Sequence, residues 1–342
     1  MKPRLAFIDH SFHKKTQATA FLMDILSENF DIECIWDDSW SGGDSISIEY
    51  LNKHNFEFVL FFQVLFPVDE LKKLRGKLIW VPMYDGVVGR APSFWMELSQ
   101  LPIKVISFSK RVFDVARSFG IQSVSVQYFF DPEKFKEISQ IEGKRIFFWQ
   151  RTKFSFKDVK KILGNQRVEK FVLKLDVDPG YTPVRPTNED MRRYNIEIID
   201  GNLSKEDYLE LVRGSNIFIA PRKFEGIGMS FIEAMTMGLA VVAFDHPTMN
   251  EYMVHQKSGY LVNERRLGEI DFSKFQEIGE KAREVCKKGY KEWLMKREKL
   301  ADFIVEDFRP PRRLNILVFS YVKSVRFLYR CLRRIGFYYE WL

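Results

Sequence analysis

The sequence contains little cysteine and no long apolar run. Its three cysteines lie far apart in the chain, at Cys34, Cys286 and Cys331. They are too few and too widely spaced for a disulfide framework or a zinc site built from cysteines. The longest apolar run, residues 58–68, is interrupted by Gln63 and Pro67 and falls short of the roughly 20 residues that span a bilayer. The first apolar stretch, 5–8, is too short for a signal peptide. These absences favour a cytoplasmic protein that folds in a reducing compartment.

Low-complexity composition is also missing. Hydrophobic residues make up 46% of the chain, charged residues 29% and aromatic residues 15%, and phenylalanine alone occurs 32 times. This much apolar surface can offset the conformational entropy of the chain, so the disordered and collagen-like classes are excluded. A length of 342 residues predicts about two domains.

A surplus of positive charge is present, but only at the C-terminal end. The formal net charge of the chain is +7. Residues 309–342 contain eight basic residues and one acidic residue, whereas the preceding 308 residues contain 45 of each sign. The basic character therefore belongs to a tail, which indicates a separate binding partner for that tail.

Short apolar segments alternate with helix-like segments along the rest of the chain. Strands are predicted at 5–8, 32–36, 57–62, 77–82, 105–108 and 124–128, and again at 145–150, 170–175, 196–199, 216–220, 239–244 and 259–262. Helices are predicted at 16–30, 111–119, 204–213 and 229–237, and a long, charged helical region is predicted at 273–308. Because strands that are apolar on both faces and alternate with helices form parallel sheets covered on both sides, the pattern predicts an α/β fold. We predict domains at 1–140 and 141–308 and a tail at 309–342.

The loop and helix after the strand at 216–220 form a candidate anion site. In open parallel sheets, ligands bind beyond the carboxyl ends of the strands, and this loop lies there. Gly226 and Gly228 leave the backbone unobstructed. The helix that begins near Met229 offers N–H groups and the positive end of its dipole. This combination suits a phosphate, and the alternative for the two glycines is a tight turn.

Two carboxylates flank this candidate phosphate site. Glu225 lies in the loop, and Glu233 follows eight positions later in the helix. A carboxylate beside a phosphate is electrostatically unfavourable unless it accepts hydrogen bonds from hydroxyl groups. The pair therefore indicates a sugar on one side and a ribose on the other, as in a nucleotide sugar. The alternative is that both side chains cap or solvate the helix.

The stretch from Pro221 to Gly238, P-x3-E-G-I-G-M-x3-E-A-M-x2-G, resembles the signature of retaining GT-B glycosyltransferases of the large GT4-type class, the glycosyl transferases group 1 family. The order and spacing of the family are kept over residues 103–263. The resemblance implies a GT-B fold, in which two Rossmann-like domains face a central cleft. The domain at 1–140 would bind the acceptor, and the domain at 141–308 would bind the nucleotide-sugar donor.

The resemblance also implies roles for individual residues of the donor site. Glu225 would bind hydroxyls of the donor sugar and act in catalysis, and Glu233 would hold the ribose diol. Backbone N–H groups for the donor sugar and the diphosphate would come from Gly226, Ile227, Gly228, Met229 and Ser230.

The diphosphate-binding side chains depart from the family in one respect. Arg151 matches the family arginine, but the lysine expected five positions later is replaced by Phe156. Lys157 is the candidate for the role of that lysine, and Lys153 is the alternative. Both lysines are also compatible with a role as surface charges.

No metal or cofactor is expected at the donor site. A metal-free site must stabilise the leaving diphosphate through cationic side chains and a helix N-terminus. Asp176 and Asp178 have the Asp-x-Asp spacing of metal-dependent transferases, but they lie away from the predicted phosphate site. The resemblance implies retention of the anomeric configuration, with a phosphate oxygen as the base.

The first domain departs further from the family. Family members often carry a glycine-rich loop after the first strand, whereas this chain has His10, His13 and Lys14 there. These residues are candidates for contacts with the acceptor or a phosphate, and the alternative is a surface or packing role. Asp85 follows the fourth predicted strand and is a candidate base for an acceptor hydroxyl, with a turn as the alternative.

The tail has the pattern of an amphipathic helix. From Tyr321 to Leu342 its apolar residues recur at steps of three and four, with the basic residues on the opposite side. Pro310 and Pro311 separate it from the preceding helix. We predict that the tail binds an anionic membrane surface, with packing on the first domain or a homodimer contact as alternatives. No motif that reads nucleic acid accompanies the charge.

The function predicted from these features is that of a retaining glycosyltransferase. It would move a sugar from a nucleotide-sugar donor to a glycan acceptor, in particular a lipid-linked one, in surface polysaccharide synthesis at the inner face of the cytoplasmic membrane. The alternatives are a sugar phosphorylase or epimerase with the GT-B fold, and a non-catalytic GT-B scaffold at a membrane.

Overall fold

The computed structural model describes residues 1–138 and 142–311 together with Ser324. The chain divides into two compact units. The first combines Met1–Gln127 with the segment that begins at Leu294, and the second is Tyr128–Trp293.

The first unit contains a six-stranded parallel sheet. Its strands are β1 (Arg4–His10), β2 (Asp31–Asp37), β3 (Phe58–Phe62), β4 (Lys77–Val81), β5 (Ile103–Ser107) and β6 (Gln122–Ser125). They lie in the order β2-β1-β3-β4-β5-β6. Every side chain of β3 is buried, as expected for a central strand that is apolar on both faces.

The second unit contains another six-stranded parallel sheet. Its strands are β7 (Arg145–Gln150), β8 (Lys170–Leu175), β9 (Ile196–Asp200), β10 (Ile217–Ile219), β11 (Ala240–Phe244) and β12 (Tyr260–Val262). They lie in the order β12-β11-β10-β7-β8-β9. The strands β10, β7 and β8 are therefore neighbours, and the loops that follow them leave the same edge of the sheet. The candidate site is built from these three loops.

Fourteen α-helices occur in the described part of the chain. They are α1 (Phe12–Thr16), α2 (Ala20–Ser27), α3 (Ile48–Lys53), α4 (Val68–Leu71), α5 (Tyr84–Val87), α6 (Pro92–Leu98), α7 (Lys110–Ser118), α8 (Phe156–Leu163), α9 (Asn188–Arg193), α10 (Lys205–Arg213), α11 (Met229–Met237), α12 (Met249–Tyr252), α13 (Phe275–Arg297) and α14 (Lys299–Val305). The tail at 309–342 lies outside the described residues, apart from 309–311 and Ser324, and of the helix predicted from Tyr321 only Ser324 is described.

All twelve predicted strands form, and the α/β prediction is confirmed. The helix predicted at 16–30 forms only as α2, with wrong bounds, and a second helix, α1, precedes it. Gln17 ends α1 in a left-handed conformation with φ of 55°. Thr19, just before α2, donates its hydroxyl to the carboxylate of Asp9 at 3.0 Å. This anchor to β1 draws the chain out of a continuous helix, and local apolar spacing does not reveal it.

Lys104 joins the first sheet to the C-terminal segment of the same unit. It lies on β5 and is fully buried. Its Nζ donates to the carbonyl oxygens of Phe303 at 2.6 Å, Ile304 at 3.3 Å and Glu306 at 2.6 Å, at the end of α14. Cations at a helix C-terminus satisfy its unpaired carbonyls and interact favourably with its dipole. Lys104 therefore fixes α14 against the sheet.

Burial lowers the pKa of Lys104 to about 8, although Glu306 and Asp307 oppose this shift, and Lys77 adds to it. The folded chain thus releases the proton at a lower pH than the unfolded chain, and folding becomes more favourable as the pH rises above 8. We expect Lys104→Met, which cannot titrate and leaves the carbonyls unpaired, to be destabilised by about 1–3 kcal/mol at pH 7. The difference in free energy of unfolding between this variant and wild type should widen towards pH 10.

Urea unfolding of both proteins between pH 7 and 10 measures this effect. The exposed Lys53→Met is the control and should follow wild type at every pH. A gap that stays constant or narrows with rising pH would contradict the burial of a titrating ammonium at this position.

Candidate functional site

The candidate donor site is built on the carboxyl edge of the second sheet. The loop after β10 runs to α11 and carries Glu225, and the loops after β7 and β8 begin beside it with Arg151 and Asp176. Thr152, in the loop after β7, donates its hydroxyl to the carbonyl oxygen of Pro221, in the loop after β10, at 3.3 Å. Ligands of open parallel sheets bind at this edge, so the predicted residues stand where the fold places a ligand.

Gly228 is the N-cap of α11 and has φ of 77° and ψ of 47°. A Cβ atom at this position would lie 2.0 Å from a ring carbon of Phe231, which is fully buried. The N–H groups of Met229 and Ser230 make no hydrogen bond within the described residues. The first turn contains no acidic residue. Free N–H groups and the positive end of a nine-residue helix together form an anion-binding surface.

The side chain of Thr248 holds the backbone of the Glu225 loop through two hydrogen bonds. This fully buried threonine donates its hydroxyl to the carbonyl oxygens of Glu225 at 2.6 Å and Gly226 at 2.8 Å. Glu225 itself is 9% exposed, so its carboxylate lies in a site with little water. Electrostatic interactions and hydrogen bonds are stronger in such surroundings. Sequence reasoning did not identify Thr248.

Glu233 is buried in the second turn of α11, where it forms an ion pair with Lys205 at the start of α10. Burial raises the pKa of Glu233, and the ammonium of Lys205 opposes this shift. The ring of Tyr208 packs on Phe147 and lies beneath the Lys205 ammonium, 5.4 Å from its centre. The Tyr208 hydroxyl is buried and has no hydrogen-bond partner in the described part of the chain. Sequence reasoning missed Lys205 and Tyr208.

Arg151 lies directly after β7 and forms an ion pair with Asp178. Its Nε and Nη2 atoms donate to Oδ1 of Asp178 at 2.9 and 2.7 Å, and its guanidinium lies 4.9 Å from the ring centre of Trp149. Arg222 donates to the other carboxylate oxygen of Asp178. The two lysines considered from the sequence, Lys153 and Lys157, are both exposed.

The prediction that the Asp-x-Asp pair lies away from the candidate phosphate site is wrong, because Asp178 contacts both Arg151 and Arg222. Cationic side chains occupy both carboxylates of the pair. The carboxylate of Asp176 accepts a hydrogen bond from the buried Lys174 at 2.9 Å. The carboxylate of Asp178 binds Arg151 and Arg222. Carboxylates in such ion pairs are poor candidates for a shared divalent cation, since the cations already neutralise them.

In the first unit, Asp9, His10 and His13 form a compact cluster at the end of β1. Nδ1 of His13 lies 2.9 Å from both carboxylate oxygens of the fully buried Asp9. Nε2 of His10 lies 3.2 Å from Oε1 of Gln63. Burial lowers the pKa of His10, and the neighbouring His13 adds to this shift. Sequence reasoning did not identify Asp9.

One potential metal ligand atom from each residue of this cluster lies within 4.8 Å of the others. Two imidazoles and a carboxylate are donors that suit zinc. The contact between Asp9 and His13 fits an aspartate–histidine pair equally well, because a carboxylate accepts from Nδ1–H and leaves Nε2 to face a substrate.

The other two candidates of the first unit lie outside this cluster. Lys14 is exposed. Asp85 is half-buried in the first turn of α5, where its carboxylate accepts a hydrogen bond from the N–H of Gly86 at 3.0 Å.

Comparisons with known proteins match part of the second unit to a family. Residues 195–271 match the model of the family described as glycosyl transferases group 1. The match contains Glu225, α11 and Glu233. No curated protein matches the chain at the sequence level.

Several solved structures share the fold at low sequence identity. Sucrose-phosphate synthase from Thermosynechococcus elongatus superposes with a TM-score of 0.62 at 12% identity, over 88% of this chain and 100% of that one. HepE from Anabaena, solved with UDP and glucose, has a TM-score of 0.53 at 13% identity, over 88% and 100% of the two chains. A glycosyltransferase from Rickettsia africae has a TM-score of 0.51 at 14% identity, over 97% and 98%. Together with the two parallel sheets, these structures show that the chain has the two-domain GT-B fold, and residues 195–271 match the glycosyl transferases group 1 family.

Proposed function

We propose that this enzyme transfers a sugar from a nucleotide-sugar donor to a glycan acceptor, with retention of the anomeric configuration. The observation that carries the proposal is the loop between β10 and α11. A buried glutamate, a glycine N-cap and helix N–H groups that have no partner among the described residues occur together there. The second unit, Tyr128–Trp293, would bind the donor, and the first unit would bind the acceptor.

Each donor-site residue has a task that follows from its chemistry. Cleavage of the sugar–phosphate bond leaves negative charge on the diphosphate. Arg151 and the N–H groups of Gly226 to Ser230 stabilise that charge, because preorganised donors are most effective where charge develops. Glu225 accepts hydrogen bonds from sugar hydroxyls, and Glu233 accepts them from the ribose. Lys157 is an outer contact for the diphosphate.

Retention follows from attack on the face of the sugar from which the diphosphate departs. The acceptor oxygen forms the new glycosidic bond, the bond from the anomeric carbon to the phosphate oxygen breaks, and the acceptor proton passes to the leaving phosphate. His10, His13, Lys14 and Asp85 are assigned to the acceptor side. NMR of the product gives the configuration at the anomeric carbon, and an inverted product would contradict this mechanism.

A screen of UDP-, GDP-, ADP- and dTDP-sugars by thermal shift tests the donor class. Uridine nucleotides come first, since HepE was solved with UDP and glucose. A ligand at about 100 times its Kd stabilises the folded state by about 2.7 kcal/mol. Incubation of the stabilising donor with glycan acceptors, followed by mass spectrometry, then detects transfer. A chain that binds no nucleotide would be a scaffold, and one that needs a sugar phosphate would be a phosphorylase.

We further propose that the tail at 309–342 binds an anionic membrane surface, so that the enzyme meets lipid-linked acceptors in surface polysaccharide synthesis. The support is the charge of this segment, which holds the whole +7 surplus of the chain. A basic residue near an anionic surface contributes about 1 kcal/mol. Within the described ranges, no helix has the length and apolar character required to cross a bilayer.

Sedimentation with liposomes that contain phosphatidylglycerol tests this proposal. The full chain should sediment with the vesicles at low salt, and a chain truncated after Pro311 should stay in the supernatant. Vesicles of phosphatidylcholine alone are the control, to which neither protein should bind. Equal sedimentation of the full and truncated chains would reject the tail as a membrane anchor.

A further inference from the structure

The position of the family lysine in the diphosphate site holds a buried aromatic residue. Phe156 is 1% exposed and packs against Phe171 and Tyr194, with ring centres 5.3 and 5.7 Å away. It is the first residue of α8, and its side chain belongs to the buried core of the second unit. A diphosphate therefore needs its second cation from another place in the chain.

Arg222 supplies a cation beside Arg151. It follows β10 in the loop that leads to α11, and Arg151 follows β7, the strand next to β10. Asp178, which follows β8 on the other side of β7, accepts hydrogen bonds from both guanidinium groups, one on each carboxylate oxygen. Three loops from adjacent strands thus bring two arginines to a single carboxylate.

This arrangement has the properties of an anion-binding site. The side chains of Arg151, Arg222 and Asp178 are 26%, 28% and 22% exposed, so they are accessible from solvent but largely shielded from it. Two guanidinium groups and one carboxylate leave a net positive charge. A diphosphate offers more negative charge and more oxygen atoms than one carboxylate, and guanidinium groups bind phosphate oxygens in bidentate pairs.

We propose that Arg222 is a second diphosphate-binding residue of the donor site, which acts with Arg151 in the role that the family gives to a lysine. The proposal rests on the proposed function, because it assumes a nucleotide-sugar donor. Asp178 is a positioning residue that holds the two guanidinium groups close together despite their like charge. Lys157 then remains an outer contact of the diphosphate, and Lys153 is a surface charge.

Calorimetry with inorganic pyrophosphate and with UDP, GDP, ADP and dTDP tests the proposal. Arg222→Gln should weaken pyrophosphate and every nucleoside diphosphate that the wild type binds by about 10-fold to 100-fold, the range for loss of a charged hydrogen bond. Arg192→Gln, an exposed arginine on α9, is the matched control and should bind as wild type does. Neither substitution should change the affinity for nucleosides, which carry no phosphate.

A second measurement uses the wild-type protein, so it does not depend on the folding of a variant. Phenylglyoxal modifies accessible arginines, and peptide mass spectrometry locates the adducts. Pyrophosphate should slow modification of Arg222 several-fold and leave Arg192 unchanged. Equal modification of Arg222 with and without pyrophosphate, or unchanged binding by Arg222→Gln, would overturn the assignment while the nucleotide-sugar function stands. A wild-type protein that binds none of these diphosphates would overturn both.

Discussion

Replacement of Gly228 by alanine should destabilise the second unit and abolish donor binding. The N-cap of α11 has φ of 77°, a conformation that costs a residue with a Cβ about 1–2 kcal/mol. The new methyl group would also lie 2.0 Å from the ring of Phe231, which packs against Tyr252 in the core. We expect a total loss of about 2–4 kcal/mol, because both the backbone and the buried ring must move.

Urea unfolding and calorimetry measure the two consequences of this substitution. Gly214→Ala is the matched control, since Gly214 has φ of −73° and a Cβ there would meet its nearest atoms at 3.6 Å. The control should stay within about 0.5 kcal/mol of wild type and keep its affinity for nucleoside diphosphates. A Gly228→Ala protein of wild-type stability and affinity would show that the glycine is not needed for the shape of the anion site.

Replacement of Glu225 by glutamine should stop sugar transfer without unfolding the protein. The substitution keeps the size of the side chain and removes the charge with which the carboxylate accepts hydrogen bonds from sugar hydroxyls. Loss of one such interaction in a site with little water lowers kcat by about 10²-fold to 10³-fold. The free nucleoside diphosphate lacks the sugar, so its affinity should change by less than about 3-fold, on the scale of a neutral interaction.

Steady-state kinetics with the stabilising donor, combined with calorimetry of the matching diphosphate, separate these effects. Glu206→Gln is the control, because Glu206 is an exposed glutamate on α10 of the same unit. Its kinetics should equal those of wild type. Full transfer activity in Glu225→Gln would remove Glu225 from the catalytic machinery, whereas loss of diphosphate binding would move its role from the sugar to the phosphates.

Part of the candidate site could be predicted from local sequence alone. A helix at 229–237 was predicted and forms with the same bounds, since apolar residues and a glycine at either end specify it. The strands could be predicted for a similar reason, because buried parallel strands are short apolar runs. The family resemblance added the expected roles of Glu225 and Glu233, which remain predictions.

Other parts of the candidate site depend on residues that are far apart in the chain. Arg151 and Asp178 are separated by 27 positions, Lys205 and Glu233 by 28, and Arg222 and Asp178 by 44. A single sequence does not show which loops meet, because the answer depends on the order of strands in the sheet. The order β10-β7-β8 is not the order along the chain.

The sequence by itself thus determined the kind of fold, the position of the candidate donor loop and the neutral body with its basic tail. Those properties depend on local composition, periodicity and glycine placement. Only the tertiary structure decided which charges meet: the two arginines on Asp178, the lysine on Glu233, the pairing of Asp9 with His13, and Lys104 with α14 some 199 residues later. The reason is that Coulomb and hydrogen-bond interactions require contact in space, which follows from how the sheet is wound and not from position along the chain.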